Sequence, residues 1–241
     1  MSDDLIPGIT VVVPTIPPRQ PQLIRALESI QGAAQRWRDV SQLDDTLPKP
    51  VRWTSPEQAT LEGTFTLAAE VTVDTEHVGA ARTRHAGLMA VETEWVAFLD
   101  DDDEMHAHHL VTLYRAAIEH QADYVWSRFV IVYPDGSTLP GPAFLGEKAF
   151  AQWNDEDPCQ TTITTLVRTE LARRAGGFAQ FTDDGSEVGG HRAGEDHDFT
   201  KRCRAAGAVM RHVPEVSWKW HHWGYGTAGQ PGNTSGMPDR W

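Results

Sequence analysis

The sequence predicts an α/β fold in which helices flank a mostly parallel central sheet. Apolar runs of strand length alternate with segments that carry apolar residues at helical spacing, which is typical of this class. The central run, Trp95 to Leu99, has the length of a buried strand and leads directly into four consecutive aspartates, Asp100 to Asp103. Because open α/β sheets bind ligands at the carboxyl ends of their strands, this junction predicts a site that attracts cations.

Composition limits the class of protein and of partner. The 241 residues suit one domain, with or without an appended lobe. The 21 basic and 34 acidic residues give a net charge of −13, which disfavours nucleic acid as a partner. The sequence has only two cysteines, which predicts a reducing compartment. It has no apolar stretch of membrane-spanning length, and its N-terminus lacks the basic start of a signal peptide, so we expect a cytoplasmic protein.

The first part of the chain predicts a strand, a helix and a long connection. Ile9 to Val13 is β-branched and ends at Pro14, before a loop from Thr15 to Arg19. A helix follows, with one apolar face made of Leu23, Leu27, Ile30, Ala34 and Trp37. Residues 38–63 contain three prolines without a clear period, so we expect an irregular connection there.

The middle of the chain continues the alternation. We expect a strand over Phe65 to Val73, a helix over Gly79 to Val91 and the strand that ends in the acidic run. A further helix reaches His120, and its predicted inward residues are Leu110, Leu113, Tyr114, Ala117 and Ile118.

The last part alternates strands and helices with longer polar stretches. The predicted elements are a strand Tyr124 to Tyr133, a turn Pro134 to Ser137, a loop Pro140 to Cys159, a strand Thr161 to Val167, a helix Thr169 to Ala175, a glycine-rich loop Asp183 to Gly194, a helix Asp196 to Ala206, a strand Ala208 to Val213 and a tryptophan-rich tail from Trp218. The aromatic residues of the first loop either hold an acceptor or cover a small core.

The acidic run is the first candidate for chemistry. Mg²⁺ or Mn²⁺ takes oxygen ligands and usually only one or two carboxylates. In an extended segment, Asp100 and Asp102 would point to the same side, so that one holds a metal and the other faces a sugar hydroxyl. The alternative is a solvated acidic loop in which Asp103 caps the next helix.

The second candidate is Glu195-Asp196 at the start of a helix. A carboxylate on this rigid element is suited to act as a general base toward an acceptor hydroxyl. The alternative is that Asp196 is only an N-cap. The helix dipole is expected to lower the pKa of Asp196, which would keep it ionised but make it a weaker base.

Two further groups complete the candidates. One of His221 and His222, with His222 slightly preferred, is suited to complete a metal site, and an imidazole ligand would favour Mn²⁺ over Mg²⁺. The alternative is that the histidine of the tail only packs on the core. Arg84, in the first two turns of its helix, either contacts a diphosphate or lies on an exposed face paired with Glu76 or Glu92.

Taken together, these stretches resemble the inverting nucleotide-sugar glycosyltransferases of the GT-A fold, of the family-two type. The resemblance covers residues 9–225 and rests on five elements in order: Ile9 to Thr15, Gly79, Thr83 to Leu88, Phe98 to Asp102, and Glu195-Asp196. The chain departs from the family in two places. No Asp-Asp-Gly-Ser precedes Gly79, and His85 replaces an asparagine.

The resemblance implies a fold, a reaction and roles for residues. It implies one GT-A domain with a Rossmann-like sheet, a donor half over residues 1–133, and an acceptor half with a C-terminal extension over residues 134–241. It implies metal-dependent transfer with inversion from a nucleotide-diphosphate sugar, preferably a UDP-sugar, to a hydroxyl of a glycan, protein or small molecule. The implied residues are Asp196 and Glu195 for catalysis, Pro14, Thr15, Arg84, Asp100 and Asp101 for the donor, and Asp102 with His222 or His221 for Mn²⁺ or Mg²⁺.

Two other functions are compatible with parts of the sequence. A sugar nucleotidyltransferase also uses an α/β sheet and acidic metal ligands, but the loop after the first strand lacks the glycine-rich phosphate-binding pattern of such enzymes. A non-catalytic carbohydrate-binding protein on a degenerate transferase fold would have lost the metal or base carboxylates, and this sequence retains both.

Overall fold

The structure is a computed structural model that describes residues 5–53, 65–75, 79–141, 164–178 and 195–221. Its strands are β1 (Ile6–Thr15), β2 (Pro50–Trp53), β3 (Phe65–Val73), β4 (Thr93–Phe98), β5 (Glu104–Met105), β6 (Tyr124–Val132), β7 (Thr138–Gly141), β8 (Thr165–Arg168) and β9 (Met210–His221). Its helices are α1 (Gln20–Ser41), α2 (Ala80–Ala90), α3 (His109–Glu119), α4 (Thr169–Arg174) and α5 (Glu195–Ala205), with a 3-10 turn at Pro17–Arg19.

The described strands form one nine-stranded sheet in the order β2-β3-β1-β4-β8-β6-β9-β5, with β7 paired to β6. Strands β2, β3, β1 and β4 are parallel neighbours, and β6 and β9 run the same way, whereas β5, β7 and β8 run against them. The predicted α/β class with a mostly parallel sheet is confirmed. The carboxyl ends of β1, β3 and β4 therefore meet at one edge.

Helices cover both faces of the sheet, because alternate residues of the central strands are buried on opposite sides. In β1, Val11 and Val13 join the core under α1 and α3, while Val12 joins the core under α2, α4 and α5. On the first face, Trp37 stacks on Phe65 with ring centroids 4.9 Å apart. The result is a three-layer arrangement in which the sheet edge is held rigidly from both sides.

Helix α2 approaches the sheet closely, and Gly87 is the reason. A Cβ atom at Gly87 would lie 2.5 Å from Val12 Cγ1 and 2.7 Å from Thr72 Oγ1, so a larger residue would push the helix away. Arg84 lies about one turn earlier on the same helix. The tight packing therefore holds Arg84 near the carboxyl ends of β1 and β4.

Several predicted boundaries are wrong. The connection 38–63 is not wholly irregular, because α1 continues to Ser41 and the edge strand β2 lies within it. Strands β5 and β7 were not expected, and β9 is one strand to His221 rather than a strand to Val213 followed by a tail. Strands β5 and β9 pair with segments that are far away in sequence, which local pattern does not reveal, whereas β7 forms a short hairpin with β6 across the predicted turn.

One predicted core residue is also wrong. Ile118 is 48% exposed, although Leu113 and Ala117, which lie four residues apart on the same helix, are buried. The Pro140 to Cys159 loop beyond Gly141, the Asp183 to Gly194 loop and the tail after His221 lie outside the described residues. Within the described ranges, no helix combines the length and apolar character needed to cross a bilayer.

Candidate functional site

The acidic run forms a turn directly after β4, and we call Asp100 to Asp103 the acidic turn. The Asp103 amide donates to the Asp100 carbonyl oxygen at 3.1 Å, which closes a four-residue turn. The run is therefore not extended, and the argument that Asp100 and Asp102 point to one side by alternation is wrong. A turn instead spreads the four carboxylates over several neighbours, of which Arg19 is shared by Asp101 and Asp102.

Asp101 is held by the end of β1. Its carboxylate is buried and accepts a hydrogen bond from Thr15 Oγ1 at 2.7 Å and another from Arg19 Nη1 at 2.8 Å. Pro14 is buried beside Thr15 and lies opposite Thr72, one pair before the end of the parallel pairing between β1 and β3. The predicted donor residues Pro14, Thr15 and Asp101 are thus brought together by the junction of β1 and β4.

Asp102 is the more accessible carboxylate of the pair that shares Arg19. Its side chain is 23% exposed, and its Oδ2 lies 3.3 Å from Arg19 Nη1. Burial raises the pKa of Asp102 to about 6, and the charge of Asp100 adds to the rise. Asp101 also adds to the rise in pKa and Arg19 opposes it, so a divalent cation at Asp102 would meet a partly buried carboxylate with further negative charge close by.

The described residues do not by themselves offer a full set of protein ligands. No group of three or more histidine, cysteine, aspartate or glutamate side chains within them is arranged to hold a metal ion. A Mg²⁺ or Mn²⁺ ion held by one or two carboxylates, with substrate phosphates and water as the other ligands, needs no such group. The carboxylate oxygens of Asp102 are ligands of the type that such a site uses.

Asp103 and Glu104 connect the acidic turn to β9. Asp103 is buried and accepts a hydrogen bond from the His221 amide at 3.0 Å, and burial raises its pKa well above the ordinary range. Helix α3 begins only at His109, so the interpretation of Asp103 as its cap is wrong. Glu104 binds Lys219 Nζ at 3.0 Å and His221 Nε2 at 2.7 Å.

His221 is therefore close to the acidic turn, but its Nε2 faces Glu104. Burial and the charge of Arg25 lower the pKa of His221, which favours the neutral imidazole that metals bind. His222 lies outside the described residues. Which tail histidine acts as a ligand stays a prediction.

Arg84 joins the two halves of the site. Its guanidinium is buried, with Nη2 2.5 Å from Asp100 Oδ1 and with Nη1 bonded to Glu195 Oε1. Burial alone would lower the pKa of Arg84, but the carboxylates of Asp100 and Glu195 outweigh it and raise that pKa. The alternative of an exposed arginine paired with Glu76 or Glu92 is wrong.

Asp196 lies beside Glu195 in the first turn of α5 and is half-buried. Its Oδ1 accepts a hydrogen bond from the His197 amide at 2.7 Å. The pKa of Asp196 is raised to about 6 by burial and by the charge of Glu195, which outweigh Arg84 and the His197 amide. The expected lowering by the helix dipole is therefore wrong, and Asp196 is a stronger base than the sequence suggested.

Two charged residues at the site were missed from sequence. Arg19 links Asp101 to Asp102, and its signal was a basic residue just after the first strand. Asp74 directly follows β3, is buried, and accepts a hydrogen bond from the Gly79 amide at 3.0 Å. Its own amide donates to the Thr15 carbonyl at 2.8 Å, which places a carboxylate beside the end of β1 where no Asp-Asp-Gly-Ser motif was found.

Comparison with known families supports the resemblance seen in the sequence. Residues 64–176 match the family model described as glycosyl transferase family 2. The matched stretch contains Asp74, Arg84 and the acidic turn, and it ends before α5. A search of curated proteins finds no match to this chain.

Solved structures show the same fold. S. aureus TarS 1-349 superposes with a TM-score of 0.55 at 16% identity, covering 89% of this chain and 60% of that one. The complex of TarS 1-349 with UDP-GlcNAc superposes with a TM-score of 0.53 at 15% identity, covering 89% of this chain and 58% of that one. Its complex with UDP superposes with a TM-score of 0.52 at 16% identity, covering 89% of this chain and 60% of that one. This chain thus spans about three fifths of those chains. The expected GT-A fold is confirmed, and the match over residues 64–176 agrees with the family-two type.

Proposed function

We propose that this chain, whose residues 64–176 belong to glycosyl transferase family 2, moves a glycosyl group from a nucleotide-diphosphate sugar to an acceptor hydroxyl with inversion. The observation that carries the proposal is the bridge made by Arg84. One buried guanidinium binds a carboxylate of the acidic turn and the glutamate beside Asp196. The donor-side and acceptor-side carboxylates, about ninety residues apart in sequence, therefore face one reaction centre.

The donor is held at the edge formed by β1, β3 and β4. Asp74 and Thr15 flank the position of the nucleotide, and Asp100 and Asp101 contact the donor. A UDP-sugar is the preferred donor, since UDP and UDP-GlcNAc occupy the TarS structures of the same fold. A Mn²⁺ or Mg²⁺ ion on Asp102, with His221 or His222, would neutralise charge on the departing diphosphate.

Asp196 acts as the general base. As the acceptor oxygen forms its bond to the anomeric carbon, the bond from that carbon to the diphosphate breaks, and its electron pair leaves with the nucleoside diphosphate. The acceptor proton passes to the carboxylate of Asp196. A pKa near 6 suits this task, because the group is ionised at neutral pH yet basic enough to accept the proton. One displacement of this kind inverts the anomeric configuration.

The two halves of the chain have different roles in this proposal. Residues 1–133 form the donor half, and residues 134–241, with α5 and β9, form the acceptor half and the C-terminal extension. The cytoplasmic location stays a prediction, as does the weak affinity for nucleic acid.

Calorimetry tests the proposal directly. We expect the wild-type protein to bind UDP-sugars more tightly with Mn²⁺ than without it, to prefer them over GDP- and dTDP-sugars, and to release UDP slowly by donor hydrolysis. Asp102→Asn should remove the effect of Mn²⁺ on binding, whereas Asp45→Asn, at an exposed position 92% accessible, should not.

Three outcomes count against it. No nucleotide binding by the wild-type protein would reject transfer altogether. Binding without any turnover would favour the carbohydrate-binding alternative. Conversion of a sugar phosphate and a nucleoside triphosphate would favour the nucleotidyltransferase alternative.

A further inference from the structure

Arg84 occupies an unusual position for a residue expected to contact a diphosphate. It is 5% exposed, and both terminal nitrogens of its guanidinium already bind carboxylates of the protein. Two of its five N–H donors are used in these contacts, and Nε has no hydrogen-bond partner among the described residues, but the buried guanidinium presents little open surface to a phosphate oxygen. Its contacts instead connect two elements that carry different parts of the reaction.

The two carboxylates differ in their location. Asp100 begins the acidic turn, and its side chain is 33% exposed on the donor side. Glu195 is the first residue of α5, and it precedes the base Asp196. Arg84 itself is fixed by the close packing of α2 on β1 and β3 at Gly87. The guanidinium therefore ties the first turn of α5 to a rigid part of the sheet.

The remainder of α5 is anchored by other residues. Arg202 binds Asp198 at 2.7 Å and donates to the Ala175 carbonyl at 2.7 Å, and Thr200 hydrogen-bonds to Tyr124 at 2.8 Å. Arg202 reaches the first turn through Asp198, and Thr200 lies on the second turn, and together these contacts hold the helix against α4 and β6. Among the ion pairs of the described residues, the one between Arg84 and Glu195 links the residue next to Asp196 to α2.

We propose that Arg84 is a positioning residue, which holds Glu195 and thereby sets the carboxylate of Asp196 at the correct distance from the donor. The proposal rests on the proposed transferase function and refines it: the arginine acts on the rate of the proton-accepting step through α5, and not on donor affinity through the diphosphate. A small displacement of a general base is enough to slow a reaction by about 100-fold.

Arg84→Lys is the main test, because it keeps the positive charge but cannot bind both carboxylates with a planar fork. We expect the affinity for UDP in the presence of Mn²⁺ to change by less than about threefold, which is a small change in binding free energy. We expect kcat for donor turnover to fall roughly 100-fold, with KM for the donor little changed. Glu195→Gln should lower kcat in the same way.

The double variant and a matched control sharpen the result. If both residues act through one contact, Arg84→Lys combined with Glu195→Gln should be no slower than the slower single variant. Arg202→Lys loosens the same helix at a distance from the acidic turn, so its kcat should fall far less. Equal losses in Arg84→Lys and Arg202→Lys would mean general loosening of α5 and would overturn the proposal.

The positioning role would also be overturned if Arg84→Lys lost UDP affinity by tenfold or more while kcat at saturating donor was retained. The arginine would then bind the diphosphate.

Hydrogen exchange separates this failure from a failure of the transferase function. Amides 199 and 200 bond to carbonyls of residues 195 and 196 in the helix, and they should exchange faster in Arg84→Lys than in wild type even if the wild-type protein turns over no donor. Unchanged exchange would overturn the anchoring itself.

Discussion

The acidic turn and the first turn of α5 both gather carboxylates, but they are stabilised in different ways. The acidic turn meets two arginines, Arg19 after β1 and Arg84 on α2, and Glu104, which follows the turn, meets Arg25 on α1 and Lys219 on β9. Among the described residues, Glu195 forms an ion pair with Arg84, which it shares with Asp100. Charge at the acidic turn and Glu104 is thus distributed over several cations, whereas the described ion pair of Glu195 is with Arg84.

This difference matters for function. A turn with several partners keeps its shape when one of them is lost, which suits a region that must accept a charged donor and release a diphosphate. A helix start whose glutamate, among the described residues, forms its ion pair with one buried arginine is placed accurately but is sensitive to the loss of that arginine. We therefore expect variants at the two regions to fail in different ways.

The largest expected effect is on turnover at the α5 side. Asp196→Asn removes the base, and kcat for transfer should fall by about 10²-fold to 10⁴-fold because general-base catalysis contributes that much. Binding of UDP with Mn²⁺, measured by calorimetry, should be little changed, since Asp196 is assigned to the acceptor and not to the donor or the metal. A near wild-type rate in this variant would remove Asp196 from the mechanism.

Stability should separate the two regions next. Arg84→Gln leaves Asp100 and Glu195 without their buried cation, and we expect a loss of about 2 to 3 kcal/mol in the free energy of unfolding. Arg19→Gln should cost about 1 kcal/mol or less, because Arg19 is 26% exposed and Thr15 still binds Asp101. Urea denaturation of both variants measures the difference. Equal losses would contradict the contrast between the regions.

Acid should weaken the structure behind the acidic turn. The turn leads into α3, whose first residue, His109, is fully buried and hydrogen-bonded to Ser217 Oγ at 2.6 Å. Burial lowers the pKa of His109 from 6.5 to about 3. Between these values the unfolded chain binds a proton that the folded protein excludes. Stability should therefore fall as the pH falls below 6.5, by up to about 1.4 kcal/mol per pH unit from this group.

Denaturation at a series of pH values measures this slope. His109→Gln should reduce it, while His120→Gln, at an exposed position, should leave it unchanged. An identical acid slope in wild type and His109→Gln would show that other groups cause the loss.

The smallest expected effect concerns one hydrogen bond within the acidic turn. Thr15→Val removes the donor to Asp101 while Arg19 still binds that carboxylate, so the free energy of unfolding should fall by about 1 kcal/mol. Thr138→Val, at an exposed position of β7, is the matched control. A loss comparable to that of Arg84→Gln would mean that the acidic turn also depends on a single contact.

The elements with strong local patterns could be predicted from the sequence. The strand Phe65–Val73 was predicted with its correct bounds, and β4 and α2 were predicted to within two residues, because apolar period and glycine punctuation are local signals. Strand β5 has two residues, and the path of β9 to His221 depends on pairing with β6 and β5. Neither has a local signal strong enough to find it.

The sequence alone determined which chemical groups the protein has and their order: an arginine on a helix, an acidic run after a buried strand, and a Glu-Asp pair at a helix start. Tertiary structure decided what those groups meet. It folded the run into a turn, placed Arg84 between Asp100 and Glu195, and raised the pKa of Asp196 where the helix dipole predicted a lower one. The physical reason is that burial and charge pairing depend on residues distant in sequence, which become neighbours only when the sheet has formed.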